Sequence, residues 1–239
     1  MRTLGLVPAR GGSRRVPGKN LARLEGKTLV RRALETAVAA SCFDLVVLSS
    51  DDEEILAEAT GLEVVVLRRP AELATDDARI RDVVAHALAA VEDLDRPFEA
   101  VGIVQATSPF TAPEDVAGTV KLLAETAADA AFSVARLEAA QHPLKLKRLV
   151  GDRLLPYLSD DRLRPSQALP PVWVRNGSVY VFRRAAVDEG LEANDARGYV
   201  MPPERSLDID TWRDLEFAKF LSRPKPVHHG RFGSTTAKR

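Results

Sequence analysis

The feature that most constrains the fold is an alternation of short apolar runs with helical patterns through the first 135 residues. The apolar runs are nearly continuous in Val, Leu and Ile, as strands buried on both faces of a sheet are. Helical segments separate them near 28–40, 52–60, 79–92 and 113–127. The predicted strands are TLGLVPA, LVVLSS, EVVVL, AVGIVQA and AAFSVAR. The pattern therefore predicts an α/β fold, a doubly wound and mostly parallel sheet whose ligands bind beyond the carboxyl ends of the strands.

The alternation of strand and helix patterns ends at residues 141–171, where prolines and cations are frequent and a Gly-Asp pair separates two short apolar runs. This segment is predicted to be a hairpin and an extended arm inserted into the sheet domain. Its composition is equally compatible with a flexible lid. A further strand, SVYVF, and an amphipathic helix, TWRDLEFAKFL, complete one predicted domain over 1–222, and the polar, basic residues 223–239 are predicted to be a disordered tail.

Composition excludes several functional classes. The net charge is zero, which argues against a broad basic surface for nucleic acid. The single cysteine, Cys42, and the lack of a Cys/His cluster with zinc-ligand spacing fit a reducing compartment. The amino-terminal apolar run is too short for a signal peptide or a membrane span, so we expect a cytoplasmic protein that binds no membrane.

The loop that follows the first predicted strand is strongly basic. Its cations are Arg10, Arg14, Arg15 and Lys19. Such loops commonly bind phosphate, because glycine lets backbone N–H groups approach oxygen while Lys and Arg supply charge. The P-loop pattern fails, since its register would begin at Ser13 and end on Asn20, and no GxGxxG fingerprint is present. A solvated surface loop is the alternative, but two prolines stiffen the segment, which favours a site for a polyphosphate.

A second candidate feature is the segment SLDIDTWRDL near the carboxyl terminus. Asp208 and Asp210 flank Ile209, so in an extended chain both carboxylates project to one side while Ile209 points inward. Two carboxylates suit Mg²⁺, which completes its coordination with phosphate oxygens and water. The alternative is that Asp210 and Thr211 cap the last helix. Together with the basic loop, the pair favours metal–phosphate chemistry with Mg²⁺ as the cofactor.

Seven segments occur in the order seen in one enzyme family. They are VPARGGSRRVPGKN, SSD, RPAELATD, VQATSPF, HPLK, RNGSVYVF and LDIDTWRDL. On these segments the chain resembles the acylneuraminate cytidylyltransferase family, the CMP-sialic acid synthetases, over residues 3–220. The resemblance implies a nucleotide-diphospho-sugar transferase-like, Rossmann-like fold. It also implies Mg²⁺-dependent transfer of CMP from CTP to the anomeric hydroxyl of a 2-keto-3-deoxy sugar acid, such as sialic acid or a related nonulosonic acid, by direct attack on the α-phosphate with release of pyrophosphate.

The resemblance assigns roles to individual residues. The family's nucleotide-binding positions fall on Arg10, Gly11, Ser13, Lys19, Asn20 and Arg69. Its sugar-side positions fall on Gln105, Lys145, Arg164 and Asn176, and its metal-binding acids on Asp208 and Asp210. Arg10, Lys19 and Asp210 are the implied catalytic residues, because charge builds on the transferred phosphate and on the departing pyrophosphate. The arm matches the family's dimerisation segment, which implies a homodimer in which the arm reaches the partner's active site.

Departures from the family pattern keep the substrate open. The family's Arg-Gln pair is replaced by Ser166-Gln167, with Arg164 two positions upstream. Either Arg164 reaches the same anion, or a different sugar acid is held differently. Sialic, legionaminic, pseudaminic and eight-carbon sugar acids all remain candidates, as do a GTP-using transferase and a non-catalytic nucleotide-binding module. The last of these would be expected to lose the metal acids or the loop cations, and both are present.

Overall fold

The computed structural model describes residues 1–92, 96–158 and 165–223. The strands are β1 (Thr3–Pro8), β2 (Arg23–Leu24), β3 (Lys27–Thr28), β4 (Leu45–Ser50), β5 (Val65–Arg68), β6 (Ala100–Val104), β7 (Ala130–Arg136), β8 (Lys147–Val150), β9 (Arg153–Pro156), β10 (Trp173–Arg183) and β11 (Ala196–Val200). The α-helices are α1 (Leu29–Ala39), α2 (Glu53–Ala57), α3 (Ile80–Val91), α4 (Pro113–Ala124), α5 (Arg184–Asp188) and α6 (Trp212–Ser222). The helices and strands predicted for the first 135 residues are all present.

Seven strands form the central sheet in the order β11-β7-β10-β6-β1-β4-β5. The pairs β1–β4, β1–β6, β4–β5 and β11–β7 are parallel. Strand β10 is antiparallel to both of its neighbours, β6 and β7. The predicted α/β fold with a mostly parallel sheet is therefore confirmed, and β10 is the exception that the alternating pattern did not reveal.

Both faces of the sheet are covered by helices, which explains the continuous apolar runs. All five residues of β6 are buried. On one face, α1, α2 and α4 contribute buried side chains such as Leu34, Ile55 and Leu123. On the other face, α3 and α5 contribute residues such as Val84 and Val187. This double burial leaves the ends of the strands as the place where polar groups can meet.

Helix α6 belongs to a separate small cluster that joins distant parts of the chain. Its Leu215 and Ala218 pack with Val16 of the basic loop and with Ile209, which is fully buried. Burying an isoleucine side chain contributes about 1.5–3 kcal/mol to stability. The cluster therefore anchors both the basic loop and the acidic segment to the same helix.

The hairpin predicted inside the arm is observed. Strands β8 and β9 pair antiparallel, and Gly151 in the turn between them has φ +64°, a left-handed conformation that glycine adopts without strain. Residues 159–164 of the arm and 224–239 of the predicted disordered tail lie outside the described residues. No helix in the described ranges is long and apolar enough to cross a membrane.

Candidate active site

A cavity of about 310 Å³ opens at the carboxyl edge of the sheet. Parallel strands β1, β4 and β6 end at this edge, so the segments that follow them converge there. Six residues assigned from the sequence line the cavity: Arg10, Ser13, Lys19, Asn20, Arg69 and Gln105. Residues up to 95 positions apart in the sequence, Arg10 and Gln105, thus line the same cavity.

The basic loop is held in shape by bonds to its backbone. The side-chain amide of Asn20 donates to the carbonyl of Arg10 at 2.8 Å. The backbone N–H of Gly11 donates to Asp51 Oδ1 at 3.0 Å. A β-carbon at Gly11 would lie 2.6 Å from Asp52 Oδ2, so only glycine lets the loop approach the end of β4 this closely. Gly11 and Asn20, both assigned to nucleotide binding, therefore also fix the loop's conformation.

The four cations of the loop each pair with an acidic side chain among the described residues. Arg10 contacts Asp76 at 2.7 Å, and Arg14 contacts the other oxygen of the same carboxylate. Arg15 and Lys19 lie 3.2 and 3.5 Å from the two oxygens of Asp210. An incoming polyphosphate would exchange with these carboxylates, because it carries more charge and more acceptor oxygens than either.

Lys19 connects the loop to the acidic segment. Its Nζ donates to the carbonyl oxygen of Ile209 at 2.8 Å, and the N–H of Ile209 donates to the carbonyl of Thr107 at 2.8 Å. Ile209 points into the core, as the alternation predicted, and Asp208 and Asp210 flank it. Asp210 thereby lines the same space as the loop cations Arg10, Arg15 and Lys19, and Asp208 lies two residues before it.

Asp208 and Asp210 differ in environment. Burial raises the pKa of the Asp208 carboxyl, and the negative charge of Asp210 raises it further. A hydrogen bond with Thr107 lowers this pKa and so opposes both effects. Asp208 Oδ1 is buried and has no hydrogen-bond partner among the described residues. Asp210 is exposed. A buried carboxylate oxygen without a donor, beside a second carboxylate, fits a divalent cation.

Helix capping does not occupy the Asp210 carboxylate. Thr211 is the N-cap of α6, and its hydroxyl accepts from the N–H of Asp214 at 3.3 Å. Asp214 in turn accepts from the N–H groups of Asp210 and Thr211. The capping alternative thus applies to Thr211 and Asp214. In the described part of the chain, no cluster of three or more His, Cys, Asp or Glu residues is placed to hold a metal.

Arg69 is a buried cation at the floor of the cavity, with 6% of its surface exposed. Its guanidinium donates to Ser49 Oγ at 3.2 Å and to the Ser49 carbonyl at 2.7 Å. Burial lowers the pKa of Arg69, an effect opposed by the charge of Asp51. These bonds fix the position of the guanidinium at the cavity, where its positive charge can attract an anion.

A second cavity of about 570 Å³ adjoins the first, and Gln105 and Ile80 line both. Its other lining residues are Ile103, Phe132, Val174, Arg175, Tyr180, Phe182 and Leu191. The guanidinium of Arg175 lies 5.3 Å from the centre of the Phe132 ring. The second cavity therefore combines an apolar and aromatic wall with one cation, which suits a carbon skeleton that carries a carboxylate.

Asp76 lines the first cavity and Arg175 the second, and neither was predicted from the sequence. Arg175 directly precedes the Asn-Gly pair at the start of β10, and that position is the signal that could have identified it. Asp76 closes the RPAELATD segment, and its pairing with Arg10 required the folded structure.

The remaining assigned residues lie elsewhere. Asn176 is buried and bonded to other side chains, and it is not among the described residues that line either cavity. Lys145 ends a short 3-10 turn, Pro143–Lys145, at the start of the arm and is also outside both linings. Arg164 lies outside the described residues. Of the four proposed sugar-side residues, the structure brings Gln105 alone into the two described cavities.

Comparison with known protein sequences finds cytidylyltransferases. Residues 4–162 match a family model described as Cytidylyltransferase. The chain is 32% identical over 222 residues to the CMP-N,N'-diacetyllegionaminic acid synthase of Legionella pneumophila, covering 88% of this chain and 92% of that protein. It is 29% identical over 227 residues to the pseudaminic acid cytidylyltransferase of Campylobacter jejuni, covering 92% and 96%.

Solved structures show the same fold. One is a CMP:2-keto-3-deoxy-manno-octonic acid synthetase complexed with CTP, with a TM-score of 0.68 and 20% identity over 92% of this chain and 98% of that one. Another is a 4-diphosphocytidyl-2C-methyl-D-erythritol synthase from Anaerococcus prevotii, with a TM-score of 0.61 and 15% identity over 93% and 96%. The expected nucleotide-diphospho-sugar transferase-like fold is thereby confirmed.

Proposed function

The chain belongs to the cytidylyltransferase family, and we propose that it transfers CMP from CTP to a nonulosonic acid, a nine-carbon 2-keto-3-deoxy sugar acid. The observation that carries this proposal is the meeting of the basic loop and the acidic segment at one cavity, through the 2.8 Å bond from Lys19 to Ile209. A second cavity for the acceptor adjoins it at Gln105.

The triphosphate of CTP would lie along the basic loop. Arg10 and Lys19 would bind phosphate oxygens, and the buried Arg69 would supply a fixed positive charge. Because the loop is bonded at Gly11 and Asn20 before any ligand binds, little ordering cost would remain on binding.

Asp208 and Asp210 would hold Mg²⁺. When bound, the ion supplies charge neutralisation on the phosphate oxygens. The chain's own cations would then orient the α-phosphate toward the second cavity and stabilise the charge that develops on pyrophosphate. The unpartnered Asp208 Oδ1 supports this assignment.

The sugar acid would occupy the second cavity. Arg175 would pair with its carboxylate, and the wall formed by Phe132, Tyr180 and their neighbours would contact its apolar substituents. Gln105 would orient the anomeric hydroxyl. The oxygen of this hydroxyl would form a bond to the α-phosphorus of CTP, and its proton would pass to water. The bond from the α-phosphorus to the oxygen that bridges it to the β-phosphate would break, so that pyrophosphate leaves.

We also propose a homodimer formed through the arm. Several large apolar side chains of the described arm are exposed, and such a patch is unusual on a monomer. They are Leu146, Leu149, Val150, Leu154, Tyr157 and Leu158. The double variant Leu149→Asp/Leu154→Asp should elute as a monomer when light scattering follows gel filtration, whereas an unchanged mass, or a monomeric parent protein, would refute the dimer.

The substrate assignment can be tested by product identity. The chain is incubated with Mg²⁺, each of CTP and GTP, and a panel of sialic, legionaminic, pseudaminic and eight-carbon acids. Mass spectrometry should detect a CMP-linked nine-carbon acid and little product with GTP. A product formed only with the eight-carbon acid, or only with GTP, would overturn the proposed substrate pair. Nucleotide binding without any product would indicate a non-catalytic module.

A further inference from the structure

Gly177 lies where β10 passes beneath Asp208. Its φ is +79°, and the pairing of β10 with β7 shifts register between Arg175 and Tyr180. A β-carbon at Gly177 would lie 2.9 Å from Asp208 Oδ2 and 3.1 Å from its Cγ. A contact this short cannot be tolerated, so Asp208 could keep its position only above a residue without a side chain.

The preceding residue, Asn176, fixes the segment that leads to Asp208. Its Oδ1 accepts from Ser133 Oγ at 2.6 Å, and its Nδ2 donates to Ser206 Oγ at 3.0 Å and to Met201 Sδ at 3.1 Å. Both amide hydrogens are thus directed at protein atoms. Asn176 therefore has no donor left for a substrate unless one of these bonds breaks.

We infer that Asn176 and Gly177 are positioning residues for Asp208, and that Asn176 does not itself bind the sugar acid. This inference rests on the proposed function, since it concerns the carboxylate that would hold the divalent cation. Asn176 ties Ser206, two residues before Asp208, to the sheet through Ser133 on β7. Gly177 leaves the space in which the Asp208 carboxylate lies. Together they place Oδ2 in the space left by the missing side chain of Gly177, while Oδ1 is buried without a hydrogen-bond partner among the described residues.

Gly177→Ala should displace the Asp208 carboxylate. Two effects combine in this variant, because alanine is strained at φ +79° and its β-carbon meets Asp208. Changes beside a metal ligand typically weaken metal binding or activity about 10- to 100-fold. We expect a loss of that size in affinity for Mn²⁺, a probe that takes the same oxygen ligands as Mg²⁺.

Gly61→Ala is the matched control. Gly61 has φ +78°, nearly the angle of Gly177, but a β-carbon there would meet nothing within 4 Å. The two variants therefore share the backbone strain and differ in the contact with Asp208. Gly177→Ala should lower the melting temperature at least as much as Gly61→Ala, while only Gly177→Ala should lose metal affinity.

The measurement is Mn²⁺ binding to the full-length chain by electron paramagnetic resonance, together with the Mg²⁺ concentration that half-activates turnover. Weakened binding in Gly177→Ala with parental binding in Gly61→Ala supports the inference. Ser206→Ala, which removes an acceptor of Asn176 without adding a charge, should show a smaller loss in the same direction and serves if Gly177→Ala does not fold. Parental Mn²⁺ affinity in both Gly177→Ala and Ser206→Ala overturns the inference alone. A parent chain that neither binds Mn²⁺ nor forms product overturns the proposed function, and the inference with it.

Discussion

Lys19 and Ile209 are separated by 190 positions in the sequence and joined by a hydrogen bond of 2.8 Å. The bond links the basic loop after the first strand to the acidic segment before the last helix. The Lys19 side chain is 14% exposed and also lies 3.5 Å from Asp210. Cationic and anionic parts of the site are thus fixed relative to each other before a ligand arrives, which lowers the ordering cost of binding.

Replacing Lys19 should reduce activity more than stability. Lys19→Met removes the charge that would contact the phosphate and the donor to the Ile209 carbonyl. We expect kcat/KM for CTP to fall by roughly 100- to 1000-fold, the range found when one fixed donor is removed from a charged transition state. Steady-state pyrophosphate release measures this. Lys27→Met, at an exposed lysine paired with Glu35, is the control and should behave as the parent. A less than fivefold loss in Lys19→Met would argue against its role.

Asp76 is predicted to compete with the nucleotide. Its carboxylate contacts both Arg10 and Arg14, so CTP would have to displace it. Exposed pairs of this kind are each worth about 0–1 kcal/mol, so Asp76→Asn should tighten CTP binding about 3- to 10-fold. Calorimetric titration without Mg²⁺ gives the dissociation constant. Asp77→Asn makes the same charge change one residue away and should alter the affinity much less. Equal effects in the two variants would indicate that any negative charge in this region weakens CTP binding at long range, rather than that Asp76 competes with CTP for Arg10 and Arg14.

Arg205 should be important for stability. Asp115 is fully buried on α4, and its two oxygens accept from the Arg205 guanidinium at 2.8 and 2.7 Å. Arg205→Met would leave a buried carboxylate without its cation, so the free energy of unfolding should fall by about 3 kcal/mol, the lower part of the range for broken buried pairs. Urea denaturation measures the change. Lys121→Met, on the exposed side of the same helix, should cost less than about 0.5 kcal/mol. Equal losses in the two variants would contradict the argument.

The thiol of Cys42 should be unreactive in the folded chain. Burial raises its pKa to about 11. At pH 8 roughly one thiol in a thousand would be ionised, compared with about a quarter for an ordinary cysteine. The higher nucleophilicity of the more basic thiolate offsets part of this difference, so reaction with a disulfide reagent should be at least about 10-fold slower than for free cysteine. Unfolding in urea should restore fast reaction. Fast labelling of the native chain would contradict the buried environment.

The local parts of this fold could be predicted from the sequence, and the non-local pairings could not. The periodicity of apolar residues identified the strands and helices of the first 135 residues, because double burial dictates their composition. The inward direction of Ile209 followed from strand alternation. The antiparallel insertion of β10 between β6 and β7 could not be predicted, since sheet order depends on which edges remain available after the other strands have paired.

The site residues that lie close together in the sequence could likewise be predicted, and those brought in by folding could not. Glycine and charge in one loop indicated Arg10 and Lys19, because phosphate binding needs both features close together in sequence. Arg175 joins the site through the packing of β10, and its position directly before the Asn-Gly pair is the one sequence signal that marks it. Asn176 was assigned to the sugar by resemblance, while the structure surrounds its amide with Ser133, Ser206 and Met201. Roles that depend on the partners of a buried group require the fold.

The most direct test of the proposed function is sugar-acid-dependent release of pyrophosphate from CTP. We expect the full-length chain to release pyrophosphate when CTP, Mg²⁺ and a nonulosonic acid are all present, and omission of any one to abolish the release. Asp210→Asn should fold normally and lose at least about 100-fold in rate, because it removes charge from the proposed metal site. No release across the panel of acids by a folded chain, or full activity in Asp210→Asn, would contradict the proposed function.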